Sequence, residues 1–107
     1  MAAMQLNSKQ FENLIGEGKP VLVDFWAPWC GYCRRIDPVY ERLAKELEGR
    51  ITLAKVNIDD EPALAEKERI ELIPTLVLYR NGKPMGDLVA PTAKADIDNW
   101  LKQLMEE

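Results

Sequence analysis

Residues 20–38 read PVLVDFWAPWCGYCRRIDP, and this stretch contains Cys30 and Cys33, the two cysteines of the 107-residue chain. VLVDFW is a nearly continuous apolar run, interrupted only by Asp24, which is typical of a strand covered on both faces. After the second cysteine, apolar residues recur at helical spacing over 33–48. The stretch therefore predicts a buried strand, a turn that carries the cysteine pair, and a helix that Pro38 should kink.

The rest of the chain alternates predicted helices and strands. Asn7 and Gln10 predict a capping box for an N-terminal helix. The other predicted elements are a short strand over 2–6, a strand over 51–58, a short helix to about residue 69, a hairpin over 75–89 that turns at Asn81-Gly82, and a last helix capped by Thr92. This order predicts an α/β fold in a single domain over 1–107, with a central mixed β-sheet and helices on both faces.

Composition argues against several classes of function. The 14 basic residues are interspersed among 18 acidic ones, for a net charge of −4, which disfavours nucleic acid as a partner. No signal peptide or membrane-spanning run is recognisable, so we expect a cytoplasmic protein with no membrane partner. The chain has no histidine, which removes histidine bases and histidine metal ligands. No glycine-rich phosphate loop follows a strand, so we expect no bound cofactor.

The C-x-x-C spacing of Cys30 and Cys33 allows three interpretations. A zinc site needs about four ligands, and two thiolates without histidine leave half of the shell empty within one chain. A structural disulfide across so short a loop would stabilise the fold by only about 2 kcal/mol. The third interpretation is a reversible redox couple, and in a reducing compartment a close pair of cysteines favours it.

The position of the pair also favours redox chemistry. Cys30 lies at the predicted start of a helix, where unpaired N–H groups and the helix dipole stabilise a thiolate, and Arg34 adds a cation one turn later. Cys33 should point inward as the resolving thiol. Asp24, in a buried strand, should keep its proton to unusually high pH and is a candidate acid or base. A compatible alternative is that it pairs with Lys55 on the neighbouring strand.

Essentially the whole chain resembles the thioredoxin family. The segments that carry the resemblance, in the family's order and spacing, are VDFWAPWCGYC (23–33), AKVNID (54–59), IPTLVLYRNG (73–82) and the closing amphipathic helix. The resemblance implies the thioredoxin fold and a thiol-disulfide oxidoreductase that reduces protein disulfides. It also implies disulfide-containing protein substrates and a separate thioredoxin reductase as electron donor. We expect a monomer without a metal site.

The resemblance assigns roles to individual residues. Cys30 would be the exposed nucleophile, Cys33 would resolve the mixed disulfide, and Asp24, near Lys55, would help to deprotonate Cys33. Pro74 would be the family's cis-proline, although sequence alone disfavours cis because only about one X-Pro bond in twenty adopts it. The implied substrate-binding residues, which form a flat docking surface for an extended segment, are Trp29, Gly31, Tyr32, Ile73, Pro74, Thr75 and Ala90.

Two positions depart from the family pattern. Gly31-Tyr32 stands between the cysteines where most thioredoxins have Gly-Pro, and Ala90 stands after the last strand where the family usually has glycine. We hypothesise that the lost proline and the added Arg35 stabilise the Cys30 thiolate and make this protein a weaker reductant than a Gly-Pro thioredoxin.

Two alternative functions remain open on the sequence. Gly-Tyr is also the dipeptide of the bacterial periplasmic disulfide isomerases, so an isomerase or oxidant is one alternative. The other is a non-catalytic binding module that holds a partner through Trp29, Ile73 and Pro74. The first alternative differs from a reductase in redox potential, and the second would not need the cysteines.

Overall fold

The computed structural model describes residues 2–106. Its elements are β1 (Met4–Gln5), α1 (Ser8–Gly16), β2 (Val21–Trp26), α2 (Gly31–Glu46), β3 (Thr52–Asn57), α3 (Pro62–Lys67), β4 (Thr75–Arg80), β5 (Lys83–Val89) and α4 (Lys94–Met105). The predicted order of helices and strands is confirmed. None of the helices in this part of the chain has the length and apolar character that crossing a membrane requires.

The strands form one mixed sheet in the order β1-β3-β2-β4-β5. β1, β3 and β2 run parallel, whereas β4 is antiparallel to both β2 and β5. The β4–β5 turn uses Asn81 and Gly82, both with positive φ, which is the conformation that this dipeptide favours. β2 is central, so its two faces are covered and its run of apolar residues is explained.

Each face of the sheet has its own apolar core, because alternate residues of a strand point to opposite faces. On one face Leu22, Leu76 and Leu78 pack against Tyr40 and other residues of α2, and against Ile97 and Leu101 of α4. On the other face the core residues of α1, α3 and the sheet include Phe11, Val21, Val23, Phe25, Leu64, Val77 and Tyr79. Helices therefore cover both faces, as predicted.

Local signals decide where the helices begin. The capping box of α1 is confirmed, because the Asn7 side chain accepts the Gln10 N–H at 2.8 Å and the Gln10 side chain accepts the Asn7 N–H at 2.9 Å. The prediction that Thr92 caps α4 is wrong. Ala93 is the N-cap residue, and the Asp96 carboxylate accepts the N–H groups of both Thr92 and Ala93 at 3.2 Å. The Thr92 hydroxyl donates to the same carboxylate at 3.1 Å.

Helix α2 begins earlier than the sequence pattern predicts. Its first residue is Gly31 and its last is Glu46, whereas the apolar spacing predicts a helix over 33–48. Cys30 is the N-cap residue, with extended backbone angles, so the helix follows it immediately. Pro38 lies inside this helix, as predicted. Both cysteines therefore lie at the first turn of α2, and Cys30 is at the helix start as predicted.

Candidate active site

The two cysteines form a disulfide at the N-terminus of α2, with their Cα atoms 5.2 Å apart. The Cys30 sulfur also caps the helix, because it accepts the Cys33 backbone N–H at 3.1 Å. Cys33 is 2% exposed and points inward, as predicted. Cys30 is only 7% exposed, which is less than expected of an exposed nucleophile, because Ala27 and Ile73 pack around it. It is nevertheless the more accessible sulfur of the two.

Asp24 lies in the middle of β2, on the face covered by α2, and is 1% exposed. Its Oδ1 atom is buried without a hydrogen-bond partner. Burial raises the pKa of this carboxyl from 3.8 to about 7; the attraction of Lys55 opposes the rise, and the charges of Asp37 and Glu41 add to it. The expectation that Asp24 keeps its proton to unusually high pH agrees with this environment.

Lys55 is the residue opposite Asp24 in the parallel β2–β3 register, but its ammonium group pairs elsewhere. It forms ion pairs with Asp37 at 2.5 Å and with Glu41 at 3.4 Å, both on α2. Burial lowers the pKa of Lys55, but the hydrogen bonds and charges of these two carboxylates outweigh burial and raise that pKa. The alternative in which Asp24 is simply the ion-pair partner of Lys55 is therefore wrong.

A pocket of about 180 Å³ lies between the buried carboxyl and Cys33. Its lining residues are Asp24, Trp26, Cys33, Arg34, Asp37 and Lys55. A pocket of this size with ionisable side chains in its lining can hold water, which gives a route for protons between a buried acid and solvent. Asp24 and Cys33 thus line one pocket.

The loop before β4 packs against the cysteines. The Ile73–Pro74 peptide bond is cis, as the resemblance implies. The Ile73 carbonyl lies 3.8 Å from the Cys30 sulfur, and Ala90 donates its N–H to the Pro74 carbonyl at 2.7 Å. Thr75, at the start of β4, is buried, and its hydroxyl donates a hydrogen bond to the Leu72 carbonyl. The loop that contains Ile73 and the segment that contains Ala90 therefore meet beside the disulfide.

Two aromatic side chains stand out from the surface around the cysteines. Trp29 is 66% exposed and donates its indole N–H to Asp59 at 3.0 Å, and Tyr32 is 63% exposed with the Arg35 guanidinium 5.4 Å from its ring centre. Gly31, the first residue of α2, is also exposed. Exposed aromatic residues beside a buried sulfur are typical of a surface that binds a partner.

Comparisons with known proteins agree with this geometry. The sequence model of the thioredoxin family matches residues 2–103. The thioredoxin of Alicyclobacillus acidocaldarius is 38% identical over 105 residues, which cover 98% of this chain and 100% of that protein. The chain belongs to the thioredoxin family. A solved structure of Plasmodium falciparum thioredoxin superposes with a TM-score of 0.87 at 29% identity, covering 94% of this chain and 98% of the other.

One further relative combines two enzymes in one chain. The bifunctional thioredoxin reductase/thioredoxin of Mycobacterium leprae is 40% identical over 85 residues, which are 79% of this chain and 19% of that protein. As a thioredoxin family member with an intact cysteine pair, the protein is a thiol-disulfide oxidoreductase that reduces protein disulfides. Its α/β architecture is the thioredoxin fold.

The contacts of three polar residues of this thioredoxin site were not predicted from the sequence. Asp37 and Glu41 hold Lys55, and Asp59 holds Trp29. The spacing of Cys33, Asp37 and Glu41 at every fourth position places them on one face of α2, and this signal could have predicted the first two. Asp59 follows β3 and Trp29 follows β2. Because these neighbouring strands are parallel, both residues lie at the same edge of the sheet.

Arg34 lies where the sequence places it, one turn after Cys30. Its guanidinium donates to the Pro28 carbonyl at 2.7 Å. This bond keeps the cation at the loop that leads into the first cysteine. A positive charge there favours a thiolate at the helix start.

Proposed function

We propose that Cys30 is the nucleophile and Cys33 the resolving thiol of this oxidoreductase. The observation that carries the proposal is the cysteine pair at the first turn of α2, with the more accessible sulfur at the N-cap. At this position the free N–H groups and the helix dipole lower the pKa of a thiol. The inward thiol can act only on the sulfur beside it.

The reaction follows from these roles. The Cys30 thiolate attacks one sulfur of a substrate disulfide, forms a mixed disulfide and displaces the other substrate sulfur as a thiolate, which takes up a proton. Cys33 then loses its proton and attacks the Cys30 sulfur, which forms the Cys30–Cys33 disulfide and releases the second substrate sulfur. The substrate gains two electrons and two protons, and the enzyme loses them. The disulfide in the structure corresponds to the end of this reaction.

Asp24 and Lys55 are the proposed proton-transfer residues. Asp24 accepts the Cys33 proton through the pocket that both residues line, and Lys55 compensates the charge that forms there. The pKa of about 7 suits this task, because a general base works best with a pKa near the operating pH. The buried position of Asp24 supports the assignment, since an unpartnered carboxyl is costly to retain for stability alone.

The proposed docking surface surrounds the Cys30 sulfur. Its proposed members are Trp29, Gly31, Tyr32, Ile73, Pro74, Thr75 and Ala90, of which Pro74 and Thr75 are buried and would shape the surface from within. The backbone of the half-buried Ile73 would pair with an extended substrate segment, while the exposed Trp29 and Tyr32 would supply apolar contact area. The cis-proline loop and the Ala90 segment are joined by a hydrogen bond, which supports one continuous surface.

The electron donor is proposed to be a separate thioredoxin reductase. Support comes from the Mycobacterium leprae relative, whose name joins both activities in one chain. We further propose that the protein acts as a monomeric single domain over 1–107 in the cytoplasm. Sedimentation would test the monomer, and fractionation of the source cells would test the compartment.

The redox direction is a separate proposal. The guanidinium of Arg35 lies over Tyr32, so a cation sits at the dipeptide that replaces Gly-Pro. We expect this charge to favour the Cys30 thiolate and therefore the reduced protein, which makes the protein a weaker reductant. Equilibration with glutathione would measure this, and a potential at or below that of a Gly-Pro thioredoxin would contradict it.

A trapping experiment tests the catalytic roles. Cys33→Ser should accumulate covalent complexes with substrate proteins through Cys30, because nothing resolves the mixed disulfide. The matched variant Cys30→Ser should accumulate none, since the remaining thiol is 2% exposed. Equal trapping by both variants would refute the assignment. The double variant tests the binding-module alternative, which predicts that partner binding survives without either sulfur.

A further inference from the structure

Lys55 lies among three carboxylates and is bound to only two of them. The β2–β3 register places it directly opposite Asp24, and paired residues of parallel strands point to the same face. Its ammonium group nevertheless extends to α2, where it meets Asp37 at 2.5 Å and Glu41 at 3.4 Å. The ammonium group is thus bonded to the two carboxylates of the helix, and it acts on Asp24 through its charge.

Solvent exposure explains this choice. The side chain of Lys55 is 15% exposed, and those of Asp37 and Glu41 are 40% and 31% exposed. An ionised carboxylate near solvent loses little hydration, whereas ionising Asp24 inside the protein would lose nearly all of it. Asp37 has the closer contact, and Glu41 is also committed to the Ala3 N–H at 2.8 Å. Asp37 is therefore the principal partner of Lys55.

Helix α2 carries Asp37 to this position for a geometric reason. Asp37 is four residues after Cys33, so both side chains lie on the face of α2 that turns toward β2 and β3. Both residues line the same pocket as Asp24. One helix face thus presents the resolving sulfur to the buried acid and, one turn later, a carboxylate to the lysine.

We propose that Asp37 is a positioning residue that holds the Lys55 ammonium group at α2, so that Asp24 stays basic enough to accept a proton from Cys33. The inference rests on the proposed role of Asp24 as the base for Cys33. Asp37 touches neither the sulfurs nor a substrate in this role. It acts by binding the Lys55 ammonium group, which would otherwise pair with the Asp24 carboxylate.

Among the charged groups around Asp24, Lys55 is the one whose bonding partner can change. The β4 residue beside Asp24 is Leu76, whose side chain carries no charge. The titratable or charged groups that face Asp24 or line its pocket are Lys55 from β3 and Cys33, Arg34, Asp37, Tyr40 and Glu41 from α2. Arg34 is bound to the Pro28 carbonyl, and the Tyr40 hydroxyl is bound to the Leu22 and Ala54 carbonyls. Lys55 alone can exchange one carboxylate partner for another.

The test is the titration of the Asp24 carboxyl carbon, followed by ¹³C NMR in the oxidised full-length chain. In Asp37→Asn, Lys55 is free to approach Asp24. We expect the Asp24 midpoint to fall by about one pH unit or more, since an opposite charge within about 4–6 Å lowers a carboxyl pKa by about 1–3. Asp37→Glu, which retains the charge, should restore most of the wild-type midpoint.

Two controls isolate the mechanism. Glu41→Gln removes the more distant carboxylate and should lower the Asp24 midpoint by less than Asp37→Asn does, because the Coulomb attraction that holds Lys55 weakens with distance. In a Lys55→Met background, Asp37→Asn should produce only a small residual change, which is the lost repulsion between two carboxylates. An undiminished change in that background would overturn the positioning role, as would an unchanged midpoint in the single variant.

A second measurement separates this inference from the proposed function. The reduced protein should release two equivalents of thionitrobenzoate from Ellman's reagent, the first on attack by Cys30 and the second on resolution by Cys33. If Asp24 is the base, the pH profile of the second phase should move with the Asp24 midpoint in Asp37→Asn. A shifted midpoint with an unchanged profile would uphold the link to Asp37 and refute Asp24 as the base.

Discussion

Replacing Asp24 by asparagine should stabilise the folded protein, and the gain should grow with pH. Asparagine has nearly the same shape as the carboxyl group but cannot ionise. In the wild-type protein the buried carboxyl must either keep its proton or lose most of its hydration, because Oδ1 has no hydrogen-bond partner. The Asp24→Asn variant has no ionisable group at this position, so it carries neither cost at any pH.

The size of the effect follows from the two pKa values. The pKa of the Asp24 carboxyl is about 7 in the folded chain, against an ordinary value of 3.8. Between these values the unfolded chain has released a proton that the folded chain retains, so the free energy of unfolding falls by up to about 1.4 kcal/mol per pH unit. When the pH is below the lower pKa the carboxyl costs no stability, and when the pH is above the upper pKa the free energy of unfolding is lower by the full ~4 kcal/mol.

Reversible urea unfolding of the oxidised protein from pH 4 to pH 8 measures the effect. The stability difference between Asp24→Asn and wild type should rise through this range and level off above about pH 7. The change of the difference with pH is decisive, because a constant offset from the new amide group cancels. Asp60→Asn, at an exposed position, should differ from wild type by no more than about 0.5 kcal/mol. A difference for Asp24→Asn that is flat with pH would refute the reasoning.

Three further substitutions test the fold by chemical denaturation. Ala90 has a φ of +48°, so Ala90→Gly should add up to about 1 kcal/mol of stability, whereas the control Ala95→Gly inside α4 should lose about 1 kcal/mol; a loss at both sites would contradict the strain argument. Tyr40→Phe should lose about 1–2 kcal/mol, because the buried hydroxyl is bonded to the Leu22 and Ala54 carbonyls, and no loss would mean that these bonds contribute nothing. Asn7→Ala should lose about 1 kcal/mol through its helix cap, and Asn7→Asp should retain most of it.

The fold followed from sequence wherever one local signal acted without competition. VLVDFW predicts a strand covered on both faces, and Asn81-Gly82 predicts the hairpin turn; the structure confirms both. Thr92 failed as a cap because its hydroxyl is bonded to Asp96, four residues later, which also accepts the N–H groups of Thr92 and Ala93. Propensity ranks residues singly, and the outcome here depended on a second side chain that binds the expected cap.

The positions of the cysteine pair and of the buried acid were predictable because spacing and an apolar context reveal them. Cys30 and Cys33 are close in sequence, and Asp24 is conspicuous in an apolar strand. The partner of Lys55 was not predictable in this way. Three carboxylates lie within its reach, and the outcome depends on distances and solvent exposure that exist only in the folded chain.

The cap that Cys30 provides to α2 links the chemistry of that sulfur to an amide that takes no part in the reaction. The Cys33 N–H points at the Cys30 sulfur at 3.1 Å, and the strength of this bond depends on the charge that the sulfur carries. A thiolate binds the amide proton more tightly than a disulfide sulfur does. The amide is therefore a native reporter: its proton chemical shift and its hydrogen-exchange rate should follow each stage of turnover without any label on the sulfurs.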